Sequence, residues 1–385
     1  MKISRNIYLK VFKYKLVDKK LSKYLNDLLN DKNQILKSLT RFYKYSYNKK
    51  LISNLQKYSK INLIGMGGSS LGARSIYYFL KKKIKKEFRF FDNLSFQNDI
   101  IKSEKKTLNL IISKSGNTLE TIANVNLIAK KNHRNIFITE NKDNYLISLA
   151  KKLKSEVVFH NNYIGGRFSV LSEVGMLPAE LMGLSQSKFK QFNNLVKNKQ
   201  FNDALISNVS AILNFVYKKK TNSIILNYDE GSKDFFYWYQ QLVAESLGKK
   251  GKGLLPIIST LPKDNHSLMQ LYLDGPKNNF FTFFFAKENL HMKINNKDLL
   301  KTHDFLKNKS IYDIKNAQFK ATQKVFDRKN IPFRTFVIDK KKEETLGELF
   351  TFFILETILL GRALNVNPFD QPSVELIKKE TKKNF

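Results

Sequence analysis

The sequence predicts an α/β protein built from two units, each a three-layer αβα sandwich around a parallel sheet, with helical segments at both ends. From residue 61 onward, short apolar runs alternate with amphipathic stretches, which is the pattern of strands joined by crossover helices. A long helical stretch at Glu173–Tyr217 interrupts this alternation once, after which it resumes. No low-complexity linker separates the two halves, so we expect them to pack closely.

Residues 1–55 are predicted to form a helical N-terminal extension, because apolar residues around Leu21, Leu25 and Leu28 recur at helical spacing. Residues 56–185 form the first predicted α/β unit, with helices such as Ala73–Lys83 and Leu119–Lys131 between its strands. Its five predicted strands are Ile61–Met66, Phe88–Phe91, Leu108–Ile112, Ile136–Thr139 and Val157–His160.

Residues 186–345 form the second predicted unit, and residues 346–385 form a C-terminal helical segment. The last segment begins with a predicted helix at Leu346–Leu364, which is apolar over most of its length. The strands predicted for the second unit are Ser223–Asn227, Phe280–Phe285 and Thr335–Ile338, and its predicted helices include Phe235–Leu247 and Ile314–Arg328.

The composition excludes several kinds of chemistry. The chain has no cysteine, so it has neither disulfides nor a catalytic thiolate. Its net charge of +35 comes from lysines in short, dispersed runs, which indicate a solvated coat and not a nucleic-acid surface. No window approaches the roughly 20 apolar residues of a membrane span, and the N-terminus does not resemble a signal peptide. We therefore expect a cytoplasmic protein without nucleic-acid or membrane partners.

A glycine-rich loop, IGMGGSSLG at residues 64–72, lies between a predicted strand and a predicted helix. Glycines such as Gly68 allow the backbone to approach a ligand, and free N–H groups at the helix start favour an anion. Ser69 adds a hydroxyl donor, so the loop predicts phosphate binding. A dinucleotide fingerprint is the competing interpretation, with Asp92 as the ribose ligand, although Ser70 stands where its third glycine belongs.

A second polar loop, SKSGNTLE at residues 113–120, follows another predicted strand. Asn117 and Glu120 have the spacing of a capping box, which predicts that a helix begins there. Hydroxyls and amides beside the first loop would form a cup for one phosphate group. The side chains expected to line this cup are Ser113, Lys114, Ser115 and Thr118.

Six motifs along the chain carry a family resemblance. IGMGGSSLGAR and SKSGNTLET resemble the two phosphosugar-binding signatures of the sugar isomerase (SIS) fold. GGRFSVLSEVGMLPAELMG, WYQQLVAESLGK, DNHSLMQLYLDGP and NPFDQPSVELIK resemble, in this order, segments of the glucose-6-phosphate isomerase family. The first 55 residues show no such match. The resemblance implies two SIS-type units that together interconvert glucose 6-phosphate and fructose 6-phosphate in glycolysis and gluconeogenesis.

The resemblance also implies roles for the residues of the proton-transfer step. Glu245 would be the base that moves a proton between C2 and C1 through a cis-enediol(ate). Gln241, four residues earlier on the same helical face, would bind sugar hydroxyls. Arg167 would stabilise the enediolate charge, with Gly166 beside the substrate. Taken alone, a helical glutamate is more often solvated and an arginine more often structural, so the family context decides these assignments.

Ring opening is assigned by the same resemblance to His266 and Lys378. His266 would reach the substrate from a partner subunit, which implies a homodimer with a shared active site, and Glu120 is a speculative orienting partner. Lys378 lies seven residues after Gln371, as in the family motif, and Gln371 would contact the substrate, so the resemblance implies that residues 346–385 complete the active site. The family needs no cofactor and no metal.

Other interpretations remain open at this point. A metal-dependent isomerase would need histidines and carboxylates at ligand spacing, whereas the five histidines are scattered: His133, His160, His266, His291 and His303. The stereochemistry at C2 is not legible from sequence, so a relative that also uses mannose 6-phosphate is possible. A non-catalytic SIS module that senses a sugar phosphate and binds nucleic acid is the alternative from another functional class.

Overall fold

A computed structural model describes residues 1–13, 19–31, 33–95, 107–287 and 292–385. Within these ranges the chain forms two five-stranded sheets covered by helices, which confirms the predicted α/β class. His291 lies outside the described residues. The strands are β1 (Ile7–Lys10), β2 (Lys60–Ile64), β3 (Glu87–Phe91), β4 (Thr107–Ile112), β5 (Arg134–Glu140), β6 (Glu156–His160), β7 (Asn222–Asn227), β8 (Leu255–Thr260), β9 (Asn279–Ala286) and β10 (Phe333–Ile338).

Helices connect these strands and cover both sheets, and none in the described ranges has the length and apolarity of a membrane span. They are α1 (Lys19–Leu29), α2 (Gln34–Leu39), α3 (Lys49–Leu55), α4 (Leu71–Phe79), α5 (Leu119–Ile128), α6 (Tyr145–Lys152), α7 (Glu173–Leu181), α8 (Phe192–Val196), α9 (Lys199–Tyr217), α10 (Lys233–Leu247), α11 (Met269–Asp274), α12 (Ile311–Arg328), α13 (Glu343–Ala363) and α14 (Val374–Lys383).

The first sheet is entirely parallel, with the strand order β3-β2-β4-β5-β6. Its central strand β4 is buried along its whole length, as expected when helices cover both faces. A ladder of side-chain amides crosses the sheet, because Asn62 donates to Asn109 and Asn109 donates to Asn135, each over 2.9 Å. Buried amides satisfied in this way favour a single register of the strands.

The second sheet has the order β1-β10-β9-β7-β8, and β1 pairs antiparallel with β10 at its edge. The prediction that residues 1–55 are helical is therefore wrong over Ile7–Lys10. Ile7 and Leu9 are buried while Tyr8 and Lys10 are exposed, which is the period of a strand. The sequence interpretation also missed β8, because its sequence LPIIST contains Pro256 and ends in the polar residues Ser259 and Thr260.

Two predicted helical boundaries also need correction. The stretch predicted as helical at Glu173–Tyr217 is divided into α7, α8 and α9 with turns between them, because Gly183 adopts a positive φ of 83° and Asn198 caps a new helix. Helix α13 begins at Glu343, three residues before the predicted start. The predicted division between residues 345 and 346 therefore cuts through the first turn of this helix.

Candidate active site

The two polar loops lie side by side at one edge of the first sheet. Strands β2 and β4 are parallel neighbours, so their carboxyl ends meet at this edge. The backbone contact is close, since a Cβ on Gly65 would lie 2.6 Å from the carbonyl oxygen of Ile112. The first loop continues as a 3₁₀ turn at Gly67–Ser69 and then enters α4. The side chain of Ser69 has no hydrogen-bond partner among the described residues.

The second loop turns sharply through Gly116, which adopts a positive φ of 65°. The hydroxyls of Ser113 and Thr118 lie 3.0 Å apart across the turn, and Ser115 is exposed at its tip. Lys114 is half-buried, and burial lowers the pKa of its amine. The loop therefore presents hydroxyls and one cation beside the first glycine loop, as an anion site requires.

The predicted capping box of this loop is wrong. Thr118 is the residue before α5, and its side chain makes no capping hydrogen bond. Asn117 instead accepts a hydrogen bond from the backbone N–H of Tyr145 over 3.0 Å, across to the start of α6. The side chain of Asn117 is thus used to join two loops, which the local spacing with Glu120 could not reveal.

A third segment completes this edge of the site. Gly166 and Arg167 begin a 3₁₀ helix, Gly166–Leu171, and Gly166 contacts Gly68 of the first loop directly. A Cβ on Gly68 would lie 2.1 Å from the carbonyl carbon of Gly166. Any side chain at Gly68 would therefore push the two loops apart. The structure brings these two predicted substrate-binding glycines into contact.

Arg167 is 1% exposed, and every nitrogen of its guanidinium group donates at least one hydrogen bond. Its Nη1 donates to Glu245 Oε2 over 3.1 Å and to Gln371 Oε1 over 2.7 Å. Burial lowers the pKa of Arg167, an effect that the Glu245 carboxylate opposes. The remaining acceptors are the Ser246 hydroxyl at 2.8 Å and the backbone oxygens of Pro368 and Asp370 at 2.7 and 3.0 Å.

Glu245 and Gln241 lie on one face of α10, as their spacing predicts. Gln241 Nε2 donates to Glu245 Oε1 over 2.8 Å, while Arg167 contacts the other carboxylate oxygen. The Glu245 side chain remains 29% exposed, so a ligand can reach it. Gln241 Oε1 is buried and has no hydrogen-bond partner within the described part of the chain. A sugar hydroxyl could supply the missing donor.

Asp92, the residue that a dinucleotide site would use to bind ribose, already forms an ion pair with Arg74. Arg74 Nη1 donates to both carboxylate oxygens of Asp92, over 3.0 and 2.8 Å. A carboxylate bound on both oxygens by a guanidinium is poorly placed to accept ribose hydroxyls. The geometry thus favours the phosphate interpretation of the first glycine loop over the dinucleotide one.

Comparison with known proteins agrees with this geometry. A SIS domain model matches residues 54–159. Glucose-6-phosphate isomerase from Methanocaldococcus jannaschii is 34% identical over 360 residues, covering 85% of this chain and 86% of that protein. The Campylobacter jejuni enzyme of the same name is 31% identical, covering 85% of each chain. The chain belongs to the glucose-6-phosphate isomerase family.

Solved structures show the same fold as this member of the glucose-6-phosphate isomerase family. A hypothetical protein from Thermus thermophilus superposes with a TM-score of 0.82 at 21% identity, covering 95% of this chain and 94% of that one. A glucose-6-phosphate isomerase from Chlamydia trachomatis gives a TM-score of 0.70 at 19% identity, covering 96% of this chain and 75% of that chain. The two SIS-type units expected from the motifs are thus the observed architecture.

Two residues that the family resemblance singles out, His266 and Lys378, are not hydrogen-bonded to Arg167 or Glu245 among the described residues. His266 is exposed in a 3₁₀ turn, and within the described ranges it makes no hydrogen bond to Glu245 or Arg167. Lys378 is exposed on α14 and pairs with Glu375 over 2.6 Å. Glu120 is half-buried at the start of α5 and, in the same ranges, has no hydrogen bond to His266. A single chain therefore assembles only part of the predicted family site.

Several contributors to the family site were missed from the sequence. Ser246 binds Arg167 Nε, and Trp238 Nε1 donates to the Arg167 carbonyl over 3.1 Å. Lys249 pairs with Asp370 over 2.8 Å and so fastens the loop that contacts Arg167. These side chains are adjacent to predicted site residues in sequence or in space, but no spacing pattern distinguishes them. Among the described residues, no group of three or more histidines and carboxylates is arranged as a metal site.

Proposed function

We propose that the chain is a glucose-6-phosphate isomerase, which interconverts glucose 6-phosphate and fructose 6-phosphate in the cytoplasm. One observation carries the proposal: Glu245 is held on both oxygens, by Arg167 and Gln241, yet stays partly open to a ligand. Aldose–ketose isomerisation needs one base within reach of two neighbouring carbons. A carboxylate with two oxygens and a fixed orientation suits that task.

The phosphate of the substrate binds at the two polar loops. Backbone N–H groups at the start of α4 and the hydroxyls of neighbouring serines supply donors. The unpartnered side chain of Ser69 and the paired hydroxyls of Ser113 and Thr118 support this assignment. Ser115 and Lys114 extend the cup on its outer side. Binding the phosphate here orients the sugar toward Gly68 of the first loop, and toward Gly166 and α10, which contact that loop directly.

Proton transfer then takes place at Glu245. Its carboxylate removes the proton from C2 of the open-chain aldose, the electrons of that C–H bond form the C1–C2 double bond, and the π electrons of the C1=O bond move to O1, which gives a cis-enediol(ate). Glu245 then returns the proton to C1, a proton passes from O2 to O1, and the C2=O bond of the ketose forms. Arg167 stabilises the developing negative charge, since its buried guanidinium is fixed and always protonated. Gln241 Oε1, which has no partner among the described residues, accepts a hydrogen bond from a sugar hydroxyl. Gln371 borders the same space beside Arg167.

Ring opening is the task of His266 and Lys378 in this proposal. Both side chains are exposed, and neither has a hydrogen bond to Arg167 or Glu245 among the described residues. We infer that a second copy of the chain supplies His266, so that the enzyme is a homodimer with a shared site. Imidazole suits proton exchange with the ring oxygen because its ordinary pKa lies near neutrality.

The decisive experiment is substitution of the proposed base, Glu245→Gln. Loss of a general base lowers kcat by roughly 10²–10⁴-fold, whereas binding of the sugar phosphate should survive because the loops are untouched. A coupled assay with glucose 6-phosphate and mannose 6-phosphate measures both turnover and specificity. Glu156→Gln is the matched control, because Glu156 lies at the amino end of β6 in an ion pair with Arg134. An unchanged rate in Glu245→Gln would refute the proposal.

A further inference from the structure

An ion-pair network joins the helix after the phosphate loop to the helix that carries Glu245. Arg74 is the fourth residue of α4, and Asp234 is the second residue of α10. Arg74 Nε donates to Asp234 Oδ1 over 2.9 Å, while its Nη1 binds both oxygens of Asp92 at the end of β3. One guanidinium thus links the first unit, which captures the phosphate, to the second, which carries the base.

The network is largely shielded from water. The side chains of Arg74, Asp92 and Asp234 are 28%, 17% and 11% exposed, so their attraction is screened less than that of surface ion pairs. Burial raises the pKa of Asp234, and Arg74 opposes that rise. For Arg74, burial alone would lower the pKa, but the two carboxylates outweigh it and raise the pKa. The Arg74 guanidinium therefore favours the ionised form of the Asp234 carboxylate.

Helix α10 is held at two separated points, by α4 near its start and by the first loop further along. Near its start, Arg74 binds Asp234, and the Ser75 hydroxyl lies 2.9 Å from the Asp234 carbonyl oxygen. Two turns later, Gln241 packs against Gly67, where a Cβ would lie 2.7 Å from Gln241 Nε2. Two contacts along one axis determine both the axial position and the rotation of a rigid helix. They determine the position of Glu245 as well, one further turn along.

We propose that Arg74 is a positioning residue that sets the location of Glu245 relative to the bound phosphate. This inference rests on the proposed function, because it concerns the base of the isomerisation. Proton transfer requires the base within about 2.6–3.2 Å of the atom that carries the proton. A displacement of about 1 Å can cost roughly a hundredfold in rate. The Arg74 guanidinium connects the helix that follows the first loop to the helix that carries the base. It therefore holds the base at a fixed distance from the phosphate site, although the two lie in separate units.

The test is Arg74→Met, which keeps much of the apolar stem and removes the charge. Two quantities are measured: kcat for glucose 6-phosphate, and the affinity of the enzyme for inorganic phosphate by calorimetry. We expect kcat to fall roughly 10- to 100-fold through misplacement of Glu245. Phosphate affinity should change by less than about twofold, because the Arg74 guanidinium is bound to Asp92 and Asp234 and not to a side chain of the two polar loops. A merely structural role would not separate these two quantities.

Two further variants complete the design. Asp234→Asn keeps an oxygen acceptor for Arg74 but removes the charge, so its kcat should fall only about threefold with phosphate affinity unchanged. Arg134→Met is the matched control, since Arg134 pairs with Glu156 over 2.8 Å at the opposite edge of the first sheet and is similarly exposed. We expect this control to leave both kcat and phosphate affinity at the wild-type values.

Equal kcat in Arg74→Met and wild type would overturn the inference, and so would a proportional loss of kcat and phosphate affinity. If Arg74→Met fails to fold, Asp234→Asn decides by the same two measurements. Failure of the proposed function would look different, because the wild-type enzyme itself would then not convert glucose 6-phosphate. An active wild type with an equally active Arg74→Met refutes only the positioning role.

Discussion

The two halves of the candidate site differ in how the chain holds them. In the half proposed for proton transfer, Arg167 is buried, and every nitrogen of its guanidinium has a partner within the same chain. The residues proposed for ring opening, His266 and Lys378, are exposed, and Lys378 lies on a helix whose apolar side chains Leu376 and Ile377 are 64% and 70% exposed. One half is therefore organised by a single chain, whereas the other half is not.

The difference separates two demands of catalysis. Stabilisation of a developing charge requires donors that are fixed before the substrate arrives, and burial with complete hydrogen bonding achieves that. Residues that exchange protons with the sugar ring need to lie within hydrogen-bond reach of the bound sugar. Assembly from a second subunit would meet that requirement and would also cover the exposed face of α14. The following predictions test this contrast, beginning with the largest expected effect.

The largest effect should come from a heterodimer of two inactive chains, Glu245→Gln and His266→Ala. If the site is shared, one of its two sites then contains neither substitution. The heterodimer, co-expressed with two different tags and purified through both, should have about half of the wild-type activity, given two equivalent interfaces related by a two-fold axis. Each parent homodimer should be nearly inactive in the same coupled assay.

The opposite result is equally clear. If Glu245 and His266 act within one chain, both sites of the heterodimer carry a substitution, and the purified heterodimer should be as inactive as its parents. Failure to recover any doubly tagged species would also contradict the shared site. A heterodimer of wild type and Glu245→Gln is the matched control, because it should keep about half of the wild-type activity under either arrangement.

The next largest effect should follow Arg167→Lys, which keeps the charge of the buried half. Lysine cannot reproduce the fork that binds Glu245, Gln371 and Ser246 together, so we expect kcat to fall by roughly 100-fold. Steady-state kinetics with glucose 6-phosphate measures this loss of kcat. Arg134→Lys is the control, because Arg134 lies at the amino end of β5 in the first sheet. Activity close to wild type would mean that the charge suffices and the fixed geometry does not matter.

The sequence could predict the parts of the site that repeat as local patterns. Glycines and hydroxyls after β2 and β4 indicated the two loops, and the four-residue spacing of Gln241 and Glu245 indicated a common face. The contact between Gly68 and Gly166 depends on how separate segments pack, and so do the hydrogen bonds of Arg167 to its partners. No local spacing encodes such contacts, although family motifs named several of the residues involved.

The fold was predictable to a similar extent, for the same reason. Strongly apolar strands such as β4 and β9 are evident from their composition, because a buried parallel strand is apolar on both faces. The edge strand β1 is only four residues long, and its alternation in IYLK is too short to stand out within a basic, largely helical segment. Its identity is decided by pairing with β10, which lies more than 300 residues away.

A smaller effect is expected for Ser246→Ala within the buried half. The substitution leaves Arg167 Nε without an acceptor but keeps the other contacts of the guanidinium. An unsatisfied buried donor costs about 1–3 kcal/mol, so kcat should fall by roughly tenfold if that cost appears in the transition state. Ser246→Thr keeps the hydroxyl and should retain more activity. Equal kcat values for Ser246→Ala and wild type would show that the hydrogen bond of Arg167 Nε is not needed to hold the guanidinium in place.

The smallest effect concerns another buried cation that, unlike Arg167, has no carboxylate bound to it among the residues that the structure describes. Lys190 is 2% exposed, donates to the backbone oxygens of Ser38 and Leu171, and lies 5.2 Å from the ring of Tyr43. Burial lowers the pKa of Lys190 to about 7, although the charge of Glu173 opposes this. The amine therefore loses its proton in the folded state at a pH where the unfolded chain still holds it.

The sign of the consequence follows from linkage. Between the folded pKa and the ordinary lysine pKa, the unfolded chain binds more protons, so the free energy of unfolding rises with pH. From pH 7 to pH 9 the rise contributed by Lys190 should be about 2 kcal/mol, and Lys190→Met should remove it. Burial raises the pKa of Tyr43, which therefore titrates above this window. Denaturant unfolding at several pH values measures the slope, and identical slopes for Lys190→Met and wild type would show that the buried amine stays protonated.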